Sequence, residues 1–432
     1  MKNIDTIDKV FILVFACMAI ALIFGVHLIP FHPDETSLLY QSRDLEQLFT
    51  NPFNLAYRPD REGETDQTYR SLNPSLPKYI LALGRIIAGY DAEHVAVDWN
   101  WSLSWDENDT AGALLSSDLL NASRIASTIM VLLSLPITYL CGKRLKSSVG
   151  AISAILLLGT HSLVLLHGRR AMAEGTLIFG VSLAILGILE GDKRPWLAAI
   201  GTAIAACSKM SVIILAPVGF LSVLWIIPGH PSPKNKILQN ALLFIAVFLS
   251  LYFLLNPLLW SNPIEGLQSQ WSERAQFTQD MVEEIEARAP NQILDGPIER
   301  IAVMVAHLYI ADPQFAEVGN YLENTTNAEE LYLAQPLHTL FRGWAAGILM
   351  ISLTVMGLVI FGFEVRKRGL HDQRPTLLLF AASTIQTIAI IWANPLPFQR
   401  YFMPMVPFVC LWIGYFVAQI LERIKQATSR MK

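Results

Sequence analysis

Two adjacent carboxylates, Asp34 and Glu35 in the run His32-Pro33-Asp34-Glu35, stand just beyond the first apolar stretch of the chain. Such a pair can act as a general base, as two ligands of a divalent metal ion, or as both. Partial desolvation would raise its affinity for protons and cations. The structural alternative is that the pair caps an ordinary loop helix. A second pair, Asp106-Glu107, lies deep in a polar loop, where the capping reading is stronger. The run His167-Gly168-Arg169-Arg170-Ala171-Met172-Ala173-Glu174 carries two arginines, whose forked donors bind phosphate oxygens bidentately. Glu174 is four positions beyond Arg170, so an i,i+4 salt bridge competes with that reading, although it leaves Arg169 unexplained. Lys209 interrupts an apolar stretch and Arg400 closes the run Asn394-Pro395-Leu396-Pro397-Phe398-Gln399-Arg400. An ionisable residue at membrane depth is a functional candidate, with snorkelling to the surface as the alternative.

The elements that would position these residues are membrane spans. Of 432 residues, 53% are hydrophobic and only 16% charged, and mean hydropathy is +0.41. A soluble domain carries roughly a quarter charged residues, so a soluble globular enzyme is excluded, as are a disordered chain, a disulfide scaffold and a nucleic-acid binder with a basic face. The net charge of −4 identifies no partner. Apolar runs at 10–26, 125–140, 149–166, 176–189, 237–255, 344–363, 376–392 and 401–421 each approach bilayer length. The first lacks a small-residue cleavage site and is read as an uncleaved span. The stretch 196–227, interrupted at Ser208-Lys209, is one span or two. With two, the total is about ten, both termini are cytoplasmic, and 17 of the 32 Lys and Arg fall on short inner segments. With one, the Arg366-Lys367-Arg368 cluster and the basic tail would face outward. Two spans are therefore expected, with Lys209 at the outer turn between them.

This orientation predicts an all-α polytopic membrane protein, a single integral membrane domain over 1–432 with two outer loops at 30–120 and 257–340. The loops hold 15 acids against 6 bases and 13 against 3. In the first, 77–87 is too short to span and is expected to lie in the interface. Val95, Val97, Trp99, Trp101, Leu103 and Trp105 alternate with polar neighbours, as a strand or an interfacial hook would. Their tryptophans are either membrane anchors or a platform for stacking sugars. Cys17, Cys141, Cys207 and Cys410 all lie in or beside apolar runs, so the outer loops must fold without disulfides. The parity of ten spans brings Asp34, Glu35, Arg169, Arg170, Glu174, Lys209 and Arg400 to the outer face. Cations beside acids there suit a phosphorylated lipid.

These pieces resemble the GT-C glycosyltransferases, and within them the protein O-mannosyltransferases and the bacterial lipid A aminoarabinose transferase. The likeness rests on the acidic pair after the first span and on Ala122-Ser123-Arg124-Ile125 at the entry to the second. It continues through the 166–174 turn, Ala206-Cys207-Ser208-Lys209, Asn256-Pro257-Leu258-Leu259-Trp260-Ser261-Asn262-Pro263 and Arg400-Tyr401-Phe402-Met403-Pro404. It covers nearly the whole chain in order, although each motif is short. The resemblance implies a transferase that takes a sugar from a polyprenyl-phosphate carrier on the outer side of the membrane and displaces it with inversion. The short connectors and the lack of a cleaved signal suit a plasma (inner) membrane, with the endoplasmic reticulum as the alternative. By the same resemblance Asp34 would deprotonate or orient the acceptor hydroxyl. Glu35 and Glu174 would position substrate or, with Asp34, hold a divalent metal ion. Arg169, Arg170, Lys209 and Arg400 would bind the donor phosphate.

Two departures stand out. Glu174 replaces the aspartate usual in relatives, and one methylene is enough to displace a catalytic carboxylate. The chain also ends after the tenth span, without the terminal domain or extra spans that some relatives carry. A non-catalytic subunit of a larger membrane assembly and a lipid or solute transporter are the alternative readings. The first predicts that Asp34, Glu35 and Glu174 can be neutralised without consequence. The second sits less well with halves of unequal loop length.

Overall fold

Each apolar run of the sequence becomes helix, because lipid offers backbone N–H and C=O groups no partner outside their own segment. The computed structural model describes residues 6–145, 147–224, 234–317 and 321–430. Among these there is no strand. Seven helices are long and apolar enough to cross a bilayer, and a helix pair bent by 53° is together long and apolar enough to make an eighth crossing. Two shorter apolar helices, Pro195–Ser208 and Met210–Leu224, meet at Lys209. The protein is an all-helical, multi-pass membrane protein, and its ten apolar segments are those expected. Lys2, Lys146 and Lys432, counted above among the inner cations, and residues 225–227 lie outside the described residues.

In chain order, α1 (Thr6–Phe24) leads to α2 (Pro33–Gln41) and, across the first loop, to α3 (Ser75–Ile87) and α4 (Ser117–Arg144). The bent pair is α5 (Ser148–Thr160) with α6 (Ser162–Leu166). It is followed by α7 (Glu174–Glu190), α8 (Pro195–Ser208), α9 (Leu215–Leu224) and α10 (Lys234–Leu254). The second loop holds α11 (Pro263–Arg288), α12 (Pro297–Val305) and α13 (Leu322–Leu333). The chain closes with α14 (Gly343–Asp372), α15 (Arg374–Ala393) and α16 (Val406–Arg430).

The span containing α7 has 89% of its apolar window buried in protein and that of α16 has 78%, against 6% for α1 and 11% for α10. So α7 and α16 are central, while α1 and α10 present their side chains to lipid. Without a hydrophobic driving force between helices, close backbone approach must hold the centre together. The α7–α8 hairpin achieves it with small residues. A Cβ placed on Gly187 would sit 2.4 Å from the Ala198 Cα, and one on Gly180 would sit 2.7 Å from the Ala205 Cα.

In the first large loop α3 is amphipathic. Lys78, Leu81, Ala82 and Arg85 are buried, whereas Leu83, Ile86 and Ile87 are exposed, as the expected interfacial helix requires. Arg85 donates to Ser42 Oγ at 2.9 Å and to Glu46 at 2.7 Å, and Lys78 meets Asp44 at 3.4 Å. The alternating segment 95–105 forms no strand. It is a hook whose Trp99 is buried against Phe31 and Trp105. Alternation here places aromatic rings on one side of a loop, with no neighbouring strand to pair it. Asp106 and Glu107 open the helix Trp105–Ala111, where Glu107 accepts from the Ser104 N–H at 2.8 Å. That pair caps a helix.

Candidate functional site

One end of the bundle, where α1, α6 and α8 finish and α4, α7 and α16 begin, gathers the polar motifs. After α1 a short turn delivers His32, which caps α2. Its Nδ1 accepts the Asp34 N–H at 3.1 Å, while the Glu35 carboxylate accepts the His32 N–H at 3.2 Å. Pro33, at the first helical position, has its φ already set for the helix. The motif is thus a capping box, and the box decides the fate of its two acids. Glu35 turns inward and is fully buried. It accepts from Arg124 Nε at 2.7 Å and Nη2 at 2.6 Å, and from the Ala171 N–H at 2.7 Å. Burial pushes its carboxyl upward, but the Arg124 guanidinium outweighs that and holds it below the ordinary value. Asp34 turns outward.

Asp34 pairs with Arg400 Nη1. The Nε of Arg400 lies 3.1 Å from Glu317 Oε1, an ion-pair approach rather than an aligned hydrogen bond. Glu317 Oε2 is 2.8 Å from His32 Nε2. Burial raises the Glu317 carboxyl, yet Arg400 and His32 outweigh it and hold the group well below the usual carboxylate range. On the other flank Lys209 Nζ meets Glu174 Oε1 at 3.2 Å and the Arg400 carbonyl oxygen at 3.5 Å. It also lies 5.0 Å over the Tyr401 ring. Side-chain exposure separates the facing groups from the supporting ones: Asp34 25%, Arg400 19% and Lys209 17%, against 3% for Glu174 and 4% for Glu317.

Among the residues singled out from the sequence, Asp34, Glu174, Lys209 and Arg400 therefore form one continuous cluster. Glu174 pairs with Lys209 and not with Arg170. Arg170 is fully buried behind the cluster. Its Nη2 donates to the Phe315 carbonyl at 2.8 Å, while its Nε and Nη1 have no hydrogen-bond partner among the described residues. Arg169 points into the bundle. It donates to the carbonyls of Leu165 at 2.6 Å and Leu22 at 3.4 Å, and contacts His338 Nε2 at 3.0 Å. Glu35 lies outside the facing set as well.

Two members were not singled out from the sequence. Glu317 is one of thirteen acids in 257–340, and nothing local distinguishes it. What places it is Gln399: Gln314 donates its N–H to Gln399 Oε1 at 2.8 Å and accepts the Gln399 N–H at 2.9 Å, pinning the second loop beside Arg400. The adjacency of Gln399 to Arg400 was its only trace. Arg124 is the other, named in a motif but given no role. Around the cluster, Tyr321 packs edge-on to His32 at 5.7 Å and to Trp101 at 6.1 Å, so part of the aromatic hook lies beside the acids.

An apolar groove of about 490 Å³ begins one residue from Lys209. Met210, Ile213, Tyr252, Leu267, Trp271 and Ala275 line it, between the turn after α8, the end of α10 and α11.

The expected metal candidates Asp34, Glu35 and Glu174 are not brought together. The ligand atoms that do converge belong to His32, Asp34 and Glu317, within 4.8 Å of one another. Their chemistry fits a metal ion poorly. The lone pair of His32 Nδ1 faces the Asp34 N–H, so Nε2 carries the ring proton and donates to Glu317. Neither ring nitrogen is left with a free lone pair. Both carboxylates already face Arg400.

This arrangement of helices has known counterparts. The archaeal oligosaccharyltransferase AglB of Archaeoglobus fulgidus, in complex with an inhibitory peptide and a dolichol-phosphate, is similar over 99% of this chain and 52% of its own. Its TM-score is 0.53 at 12% identity. The oligosaccharyltransferase of the same organism in complex with Zn and sulfate aligns over 95% of this chain and 49% of its own, with TM-score 0.53 and 14% identity. This is the GT-C fold. The chain spans about half the length of the structures it matches. No protein-family profile and no curated sequence matches it.

Proposed function

We propose that this GT-C protein is a membrane glycosyltransferase. It moves a sugar from a polyprenyl-phosphate donor to an acceptor hydroxyl on the extracytoplasmic face of the plasma (inner) membrane, with both termini cytoplasmic. The observation that carries the reading is the ion pair of a partly exposed carboxylate, Asp34, with Arg400, beside a second cation, Lys209, whose chain neighbour Met210 lines an apolar groove. A phosphorylated lipid has the matching parts: an anion for the cations and an apolar chain for the groove.

In this mechanism Arg400 and Lys209 receive the donor phosphate. Arg400 Nη2 takes no acceptor among the described residues, so a phosphate oxygen can dock there while Nη1 is drawn from Asp34. The freed Asp34 carboxylate accepts the proton of the acceptor hydroxyl. The acceptor oxygen attacks the anomeric carbon opposite the phosphate, a new C–O bond forms, and the C–O bond to phosphate breaks with its electron pair left on the phosphate. Fixed cations aimed at that developing charge are the main source of rate. Glu174 holds Lys209, and Glu317 holds Arg400. Glu35 and Arg169 serve as positioning residues, as does Arg170 behind Glu317. Any divalent metal ion is assigned no step.

The test supplies purified wild type and Asp34→Asn with a panel of polyprenyl-phosphate sugars and host membrane extract, and follows free polyprenyl phosphate by mass spectrometry. Wild type is expected to release it and Asp34→Asn to release at least about 100-fold less. Release by neither protein from any donor would overturn the reading.

A further inference from the structure

The cluster around Arg400 and Lys209 contains three acids, the partly exposed Asp34 and the buried Glu174 and Glu317. Three carboxylates that close would repel one another and an incoming anion. In many phosphate-handling sites a divalent metal ion neutralises such a set by binding one or two carboxylates together with the substrate oxygens. Here the position is already taken. Arg400 lies between Asp34 and Glu317 and makes an ion pair with each, while Lys209 covers Glu174. Glu317 also receives the His32 N–H and has the buried Arg170 behind it. His32, the imidazole whose nitrogens converge with Asp34 and Glu317, has both of them engaged.

We infer that Arg400 is the resident cation of this site, standing where a divalent metal ion would otherwise sit between Asp34 and Glu317, so that the protein binds substrate without a metal. The assignment builds on the proposed transferase reading only for its consequence in turnover. The cation occupancy itself follows from charge and geometry. A guanidinium suits the place because it is planar, stays charged, and keeps donors in more than one direction. Nε and Nη1 face the two acids, which leaves Nη2 without an acceptor among the described residues. The arrangement also limits the site: a dication added among Arg400, Arg170 and Lys209 would meet three positive charges.

The inference predicts a gain of function. Arg400→Gln leaves Asp34 and Glu317 side by side without their counter-ion, and a hard dication should then enter. Purified wild type, Arg400→Gln and Arg400→Gln/Glu317→Gln, each monodisperse in detergent, would be titrated with Mn²⁺. Loss of the free-ion signal in electron paramagnetic resonance reports binding, and the melting temperature is recorded with and without the ion. Arg400→Gln is expected to bind Mn²⁺ and to gain thermal stability from it. Wild type and the double variant should do neither, because a ligand stabilises only a protein that binds it. Wild-type turnover, where present, should be unchanged by chelator. Mn²⁺ binding by wild type that Glu317→Gln removes would overturn the inference, as would an Arg400→Gln protein, folded and monodisperse, that binds no Mn²⁺. Absence of any turnover in wild type would count against the transferase reading and leave the binding comparison intact.

Discussion

Asp34 and Glu35 share one helical turn but face different media, and substitution should separate them. Glu35 accepts two donors from Arg124 and one from Ala171 with no exposure to solvent. Removing its charge strands a buried guanidinium, a change that typically costs about 3–5 kcal/mol. Glu35→Gln is therefore expected to lower the thermal midpoint sharply in differential scanning fluorimetry. Asp34→Asn should leave the midpoint within a few degrees, because Asp34 is the exposed partner of its pair. Its effect should appear in turnover, as a fall of about 10²–10⁴-fold, the range for a lost general base. The reverse pattern would assign the chemistry to Glu35. Sequence alone does not distinguish the two, because either carboxylate of a capping motif can turn inward until a partner is known. The partner, Arg124, lies 89 residues away. The same holds for Arg169 and Arg170. Two arginines on an outer turn are legible as needing an anion, but burial gives Arg169 two backbone carbonyls and His338 instead.

At the scale of elements, the α7–α8 hairpin sets the distance between Glu174 and Lys209, since the first opens α7 and the second closes α8. Small residues let those helices approach until backbone meets backbone, so Gly187→Val has nowhere to place its side chain. Overpacking of this kind costs about 1–3 kcal/mol or more. Gly187→Val should lose thermal stability and donor turnover together, while Gly296→Val, with nothing within 4 Å of its Cβ, should change neither. The groove walled by α11 makes a different prediction. Trp271 is 70% exposed on its rim, and Trp271→Ala should raise KM for long-chain donors more than for short-chain analogues. An equal rise for both would place the lipid chain elsewhere. The amphipathic character of α3 was readable from its length and residue pattern. The hook at 95–105 was half readable: its alternation was visible, but whether another strand lay beside it was not.

For the molecule as a whole, charge asymmetry makes orientation testable. Both acidic loops lie at one end of the bundle with the candidate site, and Arg366-Lys367-Arg368 belong to the other. Single cysteines at Ser272 and at Lys367 in a background lacking the native cysteines should react oppositely with an impermeant maleimide applied to intact cells. The Ser272→Cys protein is expected to be labelled and the Lys367→Cys protein protected until the cells are opened. Labelling of Lys367→Cys alone would invert the topology. The central α7 and α16 bury their apolar faces in protein while α1 and α10 face lipid. Hydropathy alone cannot make that distinction, because both environments are apolar.

The sequence by itself determined the class, the ten apolar segments, the two large loops between them and the end of the bundle to which the charged motifs belong. These follow from lipid excluding unsatisfied backbone and charge, a one-dimensional constraint that composition and order can record. It also brought Asp34, Lys209, Glu174 and Arg400 to one face through the parity of spans. Only the tertiary structure decided which of those groups touch. It turned Glu35 and Arg169 inward, added Glu317 through the Gln314–Gln399 pairing across 85 residues, and set Arg400 between two carboxylates. Contacts of that kind depend on distances between segments remote in the chain, and they are decided by how the helices pack.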